Sequence, residues 1–542
     1  MKQRRFALLL ALGGFLLFAP SAHAAPNSGA IQRVLSEPGL AVEQYELGQE
    51  ALNAFYAARD YRAAWDFNPR DAEALSGFLN SLELLVAYHG FRRENYALGM
   101  MPELGKASDD ASRLKLELLA SDTLLKLAYD LHGEQVDLEH LYPGWDFERG
   151  HANIPGDLNA AVSTGKIADY IASLAPKNPA YDQLAQALKN YREFKTRGEW
   201  PKIDAGPSLR LHDRGPRVAQ LRARLAAEDY LISASLTTGE KDIFDEQLKG
   251  AVEAYQMRNG LDADGRVGAK TLQALNTSLA VRIDQIRANM ERWRHMPDDY
   301  PPARYALVNI ANASITIMDN GTPLYRGPVI VGKVDRKTPF IQSAVRSMII
   351  NPAWHVPAKI ARKDILPKLQ KDPHYLEKLG FVIKGSHDDP YGENIDWKSM
   401  PEREFNFRLR QSPGDMNSLG HLKFDFDNDF AVYMHGTPHP ELFKKSDRAQ
   451  SSGCVRLRDP ERVAEILLAG NKTVWDEAHL NEEIKSGKTR WLPVTEPLPL
   501  FILYWTVFTD EDGKVNFRND IYGYDTFLTE NLPNDSKMDK SP

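Results

Sequence analysis

Cysteine is almost missing from this chain: Cys454 is the one thiol in 542 residues. A single cysteine excludes any internal disulfide, so no covalent staple holds the fold. Long apolar runs are missing as well. No segment reaches the roughly 18 uninterrupted apolar residues that a spanning helix needs. The best candidate, "PLPLFILYWTVF" at 497–508, reads as a buried strand. Positive charge is not in excess: 67 Lys and Arg face 74 Asp and Glu, a formal charge of −7. That balance argues against nucleic acid as a main partner and leaves room for a local basic groove. Neither H-E-x-x-H nor C-x-x-C occurs, so the short zinc patterns are lacking.

What the first residues do hold is an export pattern. Lys2, Arg4 and Arg5 precede an uncharged apolar run from Phe6 to Phe18, and "SAHAAP" follows. Ala22 and Ala24 fit an A-x-A cleavage site, which predicts a signal peptide over 1–24 and a periplasmic mature chain. An uncleaved inner-membrane tether is the alternative. Loss of those three basic residues moves the formal charge from −7 to −10. In an oxidising compartment a lone thiol is a liability unless it is buried or used.

The length predicts three or more domains. Residues 25–204 read as a helical scaffold. "RLKLELLASDTLLKLAYDLHG" (113–133) carries leucines at helical spacing and closes on Gly133, a candidate C-cap. Residues 205–277 alternate short amphipathic helices with glycine turns. Val218, Leu221 and Leu225 form one apolar face, Leu248, Val252 and Tyr255 another, and "GLDADGRVG" precedes a last helix with Thr271, Leu272 and Leu275. This pattern resembles the small three-helix peptidoglycan-binding domain. A linker helix is expected over 278–302. From 303 the apolar period becomes two, as in strands, with Asn320-Gly321 as a hairpin turn. Residues 358 to about 424 break that rhythm with a basic helix ("KIARKDILPKLQ") and polar loops, which suggests a lid inserted in a β domain that runs to 532. "DFAVYMHGTP" (429–438) reads as a strand ending at His435, and 533–542 as a disordered polar tail. The expected class is α+β and multidomain, with a mainly-β catalytic domain.

A working cysteine needs a partner that takes its proton, donors for a developing oxyanion, and room for substrate. His435 lies 19 residues before Cys454 in the sequence, and adjacent strands can bring the two together. Gly453 lets a substrate backbone approach, and the amides near Gly453 and Cys454 are candidate oxyanion donors. Arg456, two residues on, shares the face of Cys454 in a strand and suits a thiolate or a carboxylate. Each piece has a plainer reading: a structural histidine, a buried core cysteine, a surface arginine.

The conjunction is more specific. "YMHGTP…SSGCVRL" resembles the signature of L,D-transpeptidases with a YkuD-type catalytic domain. "INPAWHVP" and "RQSPGDMNSLGHLKF" are similar to motifs of the large Gram-negative, YcbB-like members. Those members join a scaffold, a peptidoglycan-binding domain and a lidded catalytic domain. The resemblance implies Cys454 as nucleophile and His435 as proton acceptor and donor. Ser452, Gly453 and Arg456 fall on positions lining the site, and Gly436 offers a carbonyl to orient the imidazole. Tyr433 shares the histidine's face, and Trp354 and Asn351 are candidates for the substrate cleft. Many members carry histidine where Ser452 stands, so no acid–base role is expected there. The implied reaction links diaminopimelate residues of peptidoglycan stems through a cysteine thioester, needs no metal or other cofactor, and makes the protein a carbapenem target. Its expected partners are stem peptides and other wall-synthesis enzymes; the oligomeric state is left open.

Three alternatives stay open at this stage. An L,D-carboxypeptidase or D-amino-acid exchange enzyme uses the same chemistry. A wall-binding scaffold protein needs none of it. A zinc hydrolase would draw on His421, His435, His439 and Cys454.

Overall fold

The computed structural model describes residues 27–532 apart from 66, 68–71, 148, 232–240 and 472–474. The expected leader and the polar tail lie outside the described residues. Among those described, no helix is long and apolar enough to cross a membrane.

The N-terminal region is helical apart from a tiny hairpin, β1 (Ala41–Val42) and β2 (Tyr45–Glu46). Its core helix, Asp110–His132, starts where the Asp109 carboxylate accepts from Ser112 N–H at 2.9 Å. It ends at Gly133 with φ +96°, as the sequence predicts. A Cβ at Gly133 would also stand 2.9 Å from the Arg294 carbonyl, so this glycine both caps one helix and admits another. Leu118, Leu124 and Leu131 pack on Phe55, Tyr56 and Phe78 in one apolar cluster. The small three-helix unit (Pro216–Ala227, Glu246–Arg258, Ala269–Leu275) has a separate core. Both apolar faces read from its sequence are buried in it.

The expected linker is instead the central helix of the molecule. Leu279–Arg294 is buried on most sides, and its polar residues reach three modules. Arg282 donates to Asn259 Oδ1 at 2.7 Å, Arg287 to the Gly90 carbonyl at 2.7 Å, and Asn289 to Thr506 Oγ1 at 2.7 Å. Arg292 pairs with Asp525 at 2.7 Å and donates to the Tyr142 hydroxyl at 3.0 Å. Arg294 pairs with Glu291 and donates to the His89 carbonyl. Charged residues spaced along a helix read as a solvated face; only the surrounding modules bury them.

The C-terminal domain is built on β3 (Arg304–Asn309), β4 (Ser314–Asp319), β5 (Thr322–Gly332), β6 (Ile341–Ile350), β10 (Leu422–Phe426), β11 (Met434–His435), β12 (Ala449–Ser451), β13 (Val455–Leu457) and β14 (Arg490–Leu503). The order is β12-β5-β13-β11-β10-β6-β14-β3-β4, and β5 also pairs with β4. Eight strands therefore form a closed ring with no free edge. Ile317, Val331, Met348, Phe424, Met434, Val455 and Ile502 fill it. Asn320 (φ +46°) and Gly321 (φ +80°) make the β4–β5 turn, as expected for an Asn-Gly hairpin. A last hairpin, β15 (Val507–Thr509) with β16 (Val515–Phe517), packs on the central helix and on Pro179–Thr196.

The insertion departs from its sequence reading. It is a small folded unit with its own sheet, β7 (Trp354–His355), β9 (Leu409–Gln411) and β8 (Phe381–Ile383), in the order β7-β9-β8. Ile365, Leu369, Phe381, Trp397 and Phe405 form its core. Residues 422–424, placed in the lid by the sequence, are the start of β10 in the main sheet. Phe405, Phe407 and Leu409 alternate with polar Asn406, Arg408 and Arg410, a period of two that leads into β9 and that the sequence reading passed over.

Candidate active site

The site is set by one parallel pairing. β11 and β13 lie side by side with Met434 opposite Val455 and His435 opposite Arg456. Val455 N–H donates to the Tyr433 carbonyl at 3.1 Å. Side chains alternate across a strand, so Met434, Val455 and Leu457 enter the core while Tyr433, His435, Cys454 and Arg456 share the other face. Regular pairing covers only Met434–His435 of the strand expected over 429–438; Ala431 has φ +54° and breaks the earlier part.

Cys454 follows a tight loop between β12 and β13. Gly453 has φ +118°, a region that L side chains rarely adopt. The loop is braced from within and below. Gly453 N–H donates to Ser451 Oγ at 3.1 Å, Ser451 Oγ donates to the Cys454 carbonyl at 2.6 Å, and Thr338 Oγ1 donates to the Gly453 carbonyl at 2.8 Å. Thr338 is itself held by Gly332 N–H at 2.8 Å. This corrects one expectation: the Gly453 amide is already used by Ser451 and is no oxyanion donor here. The Cys454 N–H has no acceptor among the described residues and is the loop amide left for that task.

The imidazole is oriented as the sequence suggests. His435 Nδ1 lies 2.6 Å from the Gly436 carbonyl. A carbonyl can only accept, so Nδ1 carries the proton and Nε2 the lone pair. His435 is 4 % exposed. Burial and the nearby Arg456 push its pKa down to about 3, against the pull of the Gly436 and Leu419 carbonyls. The ring is neutral at neutral pH. Burial pushes the Cys454 thiol up, while the Tyr433 N–H, Arg456, Lys423 and the Tyr433 hydroxyl pull it back. At rest the shared face carries a neutral thiol and a neutral imidazole. The Tyr433 ring lies tilted, 5.6 Å from that of His435, and turns its hydroxyl to the sulfur.

Other predicted residues divide. Arg456 lies against both His435 and Cys454, and its buried Nε has no partner. Trp354, on β7, brings the inserted unit to the site: its buried indole N–H faces Tyr433 without closing a hydrogen bond. Asn351 is not in the cleft. It is 2 % exposed with φ +49°, and its Nδ2 donates to the carbonyls of Glu483 and Ile484 at 3.1 and 3.0 Å. Ser452 Oγ accepts from Arg336 at 2.8 Å, and Arg336 also forms a two-pronged pair with Asp364 of the basic helix. His421, His439 and Cys454 are no ligand set: among the described residues no three His, Cys, Asp or Glu side chains form a metal-holding group.

Sequence reasoning missed Arg336, Asp364, Thr338 and Lys423. Lys423 had a signal. In "LKFDF" it alternates with core residues on β10, opposite His435, and its ammonium sits 4.5 Å over the Tyr433 ring. Arg336 and Asp364 come together from segments 28 residues apart, with no local pattern to mark them.

Comparison with known families fits this geometry. Residues 303–475 match the model described as "L,D-transpeptidase catalytic domain", of the YkuD type. The chain carries an L,D-transpeptidase catalytic domain. Residues 50–188 match a "Scaffold domain" and 214–275 a "Putative peptidoglycan binding domain". A Haemophilus influenzae protein named "Putative L,D-transpeptidase" is 32% identical over 315 residues, which are 56% of this chain and 62% of that protein. The Mycobacterium tuberculosis protein "N-acetylmuramoyl-L-alanine amidase CwlM" is 41% identical over 80 residues, 14% of this chain and 20% of that one. Arg456, His435 and Cys454 thus lie within the matched transpeptidase domain.

Proposed function

We propose that this protein is a periplasmic L,D-transpeptidase that forms 3→3 links between diaminopimelate residues of peptidoglycan stems. The observation that carries the reading is the shared face of Tyr433, His435, Cys454 and Arg456, with Nδ1 of His435 fixed by Gly436 and Nε2 left as base. Cys454 Sγ attacks the carbonyl carbon of diaminopimelate in a donor tetrapeptide as His435 takes the thiol proton. The Cys454 N–H and the Tyr433 hydroxyl stand where the oxyanion forms. The C–N bond then breaks, the proton passes from His435 to the departing D-alanine amine, and a thioester is left on Sγ. His435 next takes a proton from the side-chain amine of an acceptor stem. That amine attacks the thioester, an amide forms, and Cys454 is released as thiol. Arg456, charged and unpaired at Nε, suits a stem carboxylate.

Water can take the acyl group by the same steps, giving L,D-carboxypeptidase activity. The near-complete burial of His435 favours an amine acceptor, because the base sees little bulk water. Intact-protein mass spectrometry of the mature chain with disaccharide-tetrapeptide tests both readings. A mass gain on Cys454, free D-alanine and 3→3 dimers are the expected outcome. Tripeptide alone would make it a carboxypeptidase. No adduct from folded protein with a free thiol would overturn both.

A further inference from the structure

A cavity of about 270 Å³ opens beside the catalytic loop, on the side of Ser452 and Gly453. Four other segments close it: Pro143 from the helical region, the turn after β5 (Arg336, Lys337, Pro339), the start of the basic helix (Lys359, Ile360), and the residues before β11 (Phe430, Val432). Tyr524 forms its floor. The catalytic domain alone does not make this cavity; the helical region and the inserted unit each contribute a wall.

Its charge is one-sided. The ionised lining residues are Arg336, Lys337 and Lys359, with no carboxylate among them, in a chain whose overall charge is negative. Arg336 is balanced by Asp364. Lys337 has no ion pair among the described residues, and the Asp520 carboxylate acts on it only through space. Its Nζ donates to the Tyr522 carbonyl at 2.8 Å and lies 4.4 Å over the Tyr524 ring, contacts that hold the ammonium without cancelling it. Partial burial pushes its pKa down, and the Asp520 carboxylate pulls it part of the way back. Lys359 is exposed at the rim and has no ion pair among the described residues. The rest of the wall is apolar, including Val432 and Pro339 below and Phe430, 45 % exposed, at the mouth. Two cations without an ion pair, over a largely apolar wall, fit a small group with a carboxylate at one end and alkyl carbon at the other.

We propose that this cavity is a carboxylate subsite for a peptidoglycan stem peptide, with Lys337 and Lys359 holding the carboxylate and Val432, Pro339 and Phe430 the adjoining alkyl group. The assignment rests on the substrate class argued above. A ligand seated there touches Gly453, the residue before the nucleophile, so binding and acylation share one loop. The same chemistry is present on the donor's terminal D-alanine and on the acceptor's stem, and the experiment separates them.

The test uses the mature full-length chain. In a Cys454→Ala background, calorimetric titration compares disaccharide-tetrapeptide with the same peptide amidated at its C-terminal carboxylate. The acid is expected to bind more tightly than the amide, and Lys359→Gln to weaken the acid by roughly fivefold, the upper range for an exposed pair, with no effect on the amide. Lys359→Arg should retain binding. If amidation matters but Lys359→Gln and Lys337→Gln both bind the acid like the parent, or if acid and amide bind alike and a tripeptide acid and its amide do too, the subsite is wrong. With the thiol present, a raised half-saturation for acyl-enzyme formation assigns the donor carboxylate; a raised half-saturation for thioester consumption assigns the acceptor's. If the parent forms no thioester, the transpeptidase reading fails, while the titration still decides the subsite.

Discussion

The central helix and the catalytic face both bury polar groups, and they treat them in opposite ways. Along Leu279–Arg294 each deeply buried guanidinium meets a carboxylate, a carbonyl or a phenol, with Arg292 Nε alone left over: Arg292 with Asp525, Arg294 with Glu291 and His89, Arg287 with Asp284 and Gly90. Around Cys454 the groups are left short. Arg456 Nε and Trp354 Nε1 have no partner, the thiol is pushed up and the imidazole down. A low dielectric strengthens a satisfied pair and penalises an unsatisfied group. In the first region that gives rigidity; in the second it leaves unsatisfied groups facing the place where substrate would supply the missing partners.

The sharpest way to separate the regions is to remove one partner in each. Cys454→Ala should abolish the acyl-enzyme, and His435→Ala should slow its formation by about a thousandfold, with melting temperature close to the parent; mass spectrometry and calorimetry read the two effects. Asp525→Ala should do the reverse. It strands the Arg292 charge and should cost about 3–5 kcal/mol by denaturant unfolding. If it left stability intact, the contrast between the regions would collapse.

The pH profile comes next in size. A histidine with the ordinary pKa would lose about twenty-fivefold in base activity between pH 7 and pH 5. Here the depressed value keeps Nε2 unprotonated across that range, so the acylation rate per enzyme–substrate complex should not show this loss. Arg456→Gln removes a cation that holds the imidazole down and the thiol down. Its acid limb should therefore move to higher pH, and so should the alkaline rise in iodoacetamide labelling of Cys454.

A smaller effect links the catalytic loop to the inserted unit. Arg336 joins Ser452 to Asp364 on the basic helix. Arg336→Ala should raise amide exchange over 358–369 and lower acylation by about tenfold, with little loss of global stability. The pair should persist at pH 5, because Arg336 holds the Asp364 carboxyl below its usual range and the contact is lost only as pH falls through that depressed value. Tyr433→Phe, which removes a single hydroxyl beside the sulfur, should cost about three- to tenfold in acylation. An exchange pattern over 358–424 as slow as that of the ring strands, with and without substrate, would rule out the movement expected of a lid.

What local chemistry governs was legible in the sequence. The helical spacing that ends on Gly133, both apolar faces of the three-helix unit, and the Asn320-Gly321 turn depend on residues a few positions apart, and they stand as read. Gly453 before Cys454 reads in the sequence as room for a substrate backbone; the structure adds a second reason for glycine there, a φ of +118°. What was misread depends on contacts between distant segments. The helix at 279–294 reads as a linker because its charges face inward only after three modules close on it. Asn351 looks like a cleft residue, yet its amide is taken by carbonyls more than 130 positions away. The amide of Gly453 looks like an oxyanion donor until the Ser451 hydroxyl is seen to occupy it. The sequence by itself singled out Cys454 and His435 as the candidate reagents, and the period of the elements that carry them. The tertiary structure decided which of their neighbours are free, because a donor or a charge is available only if the folded chain has not already satisfied it.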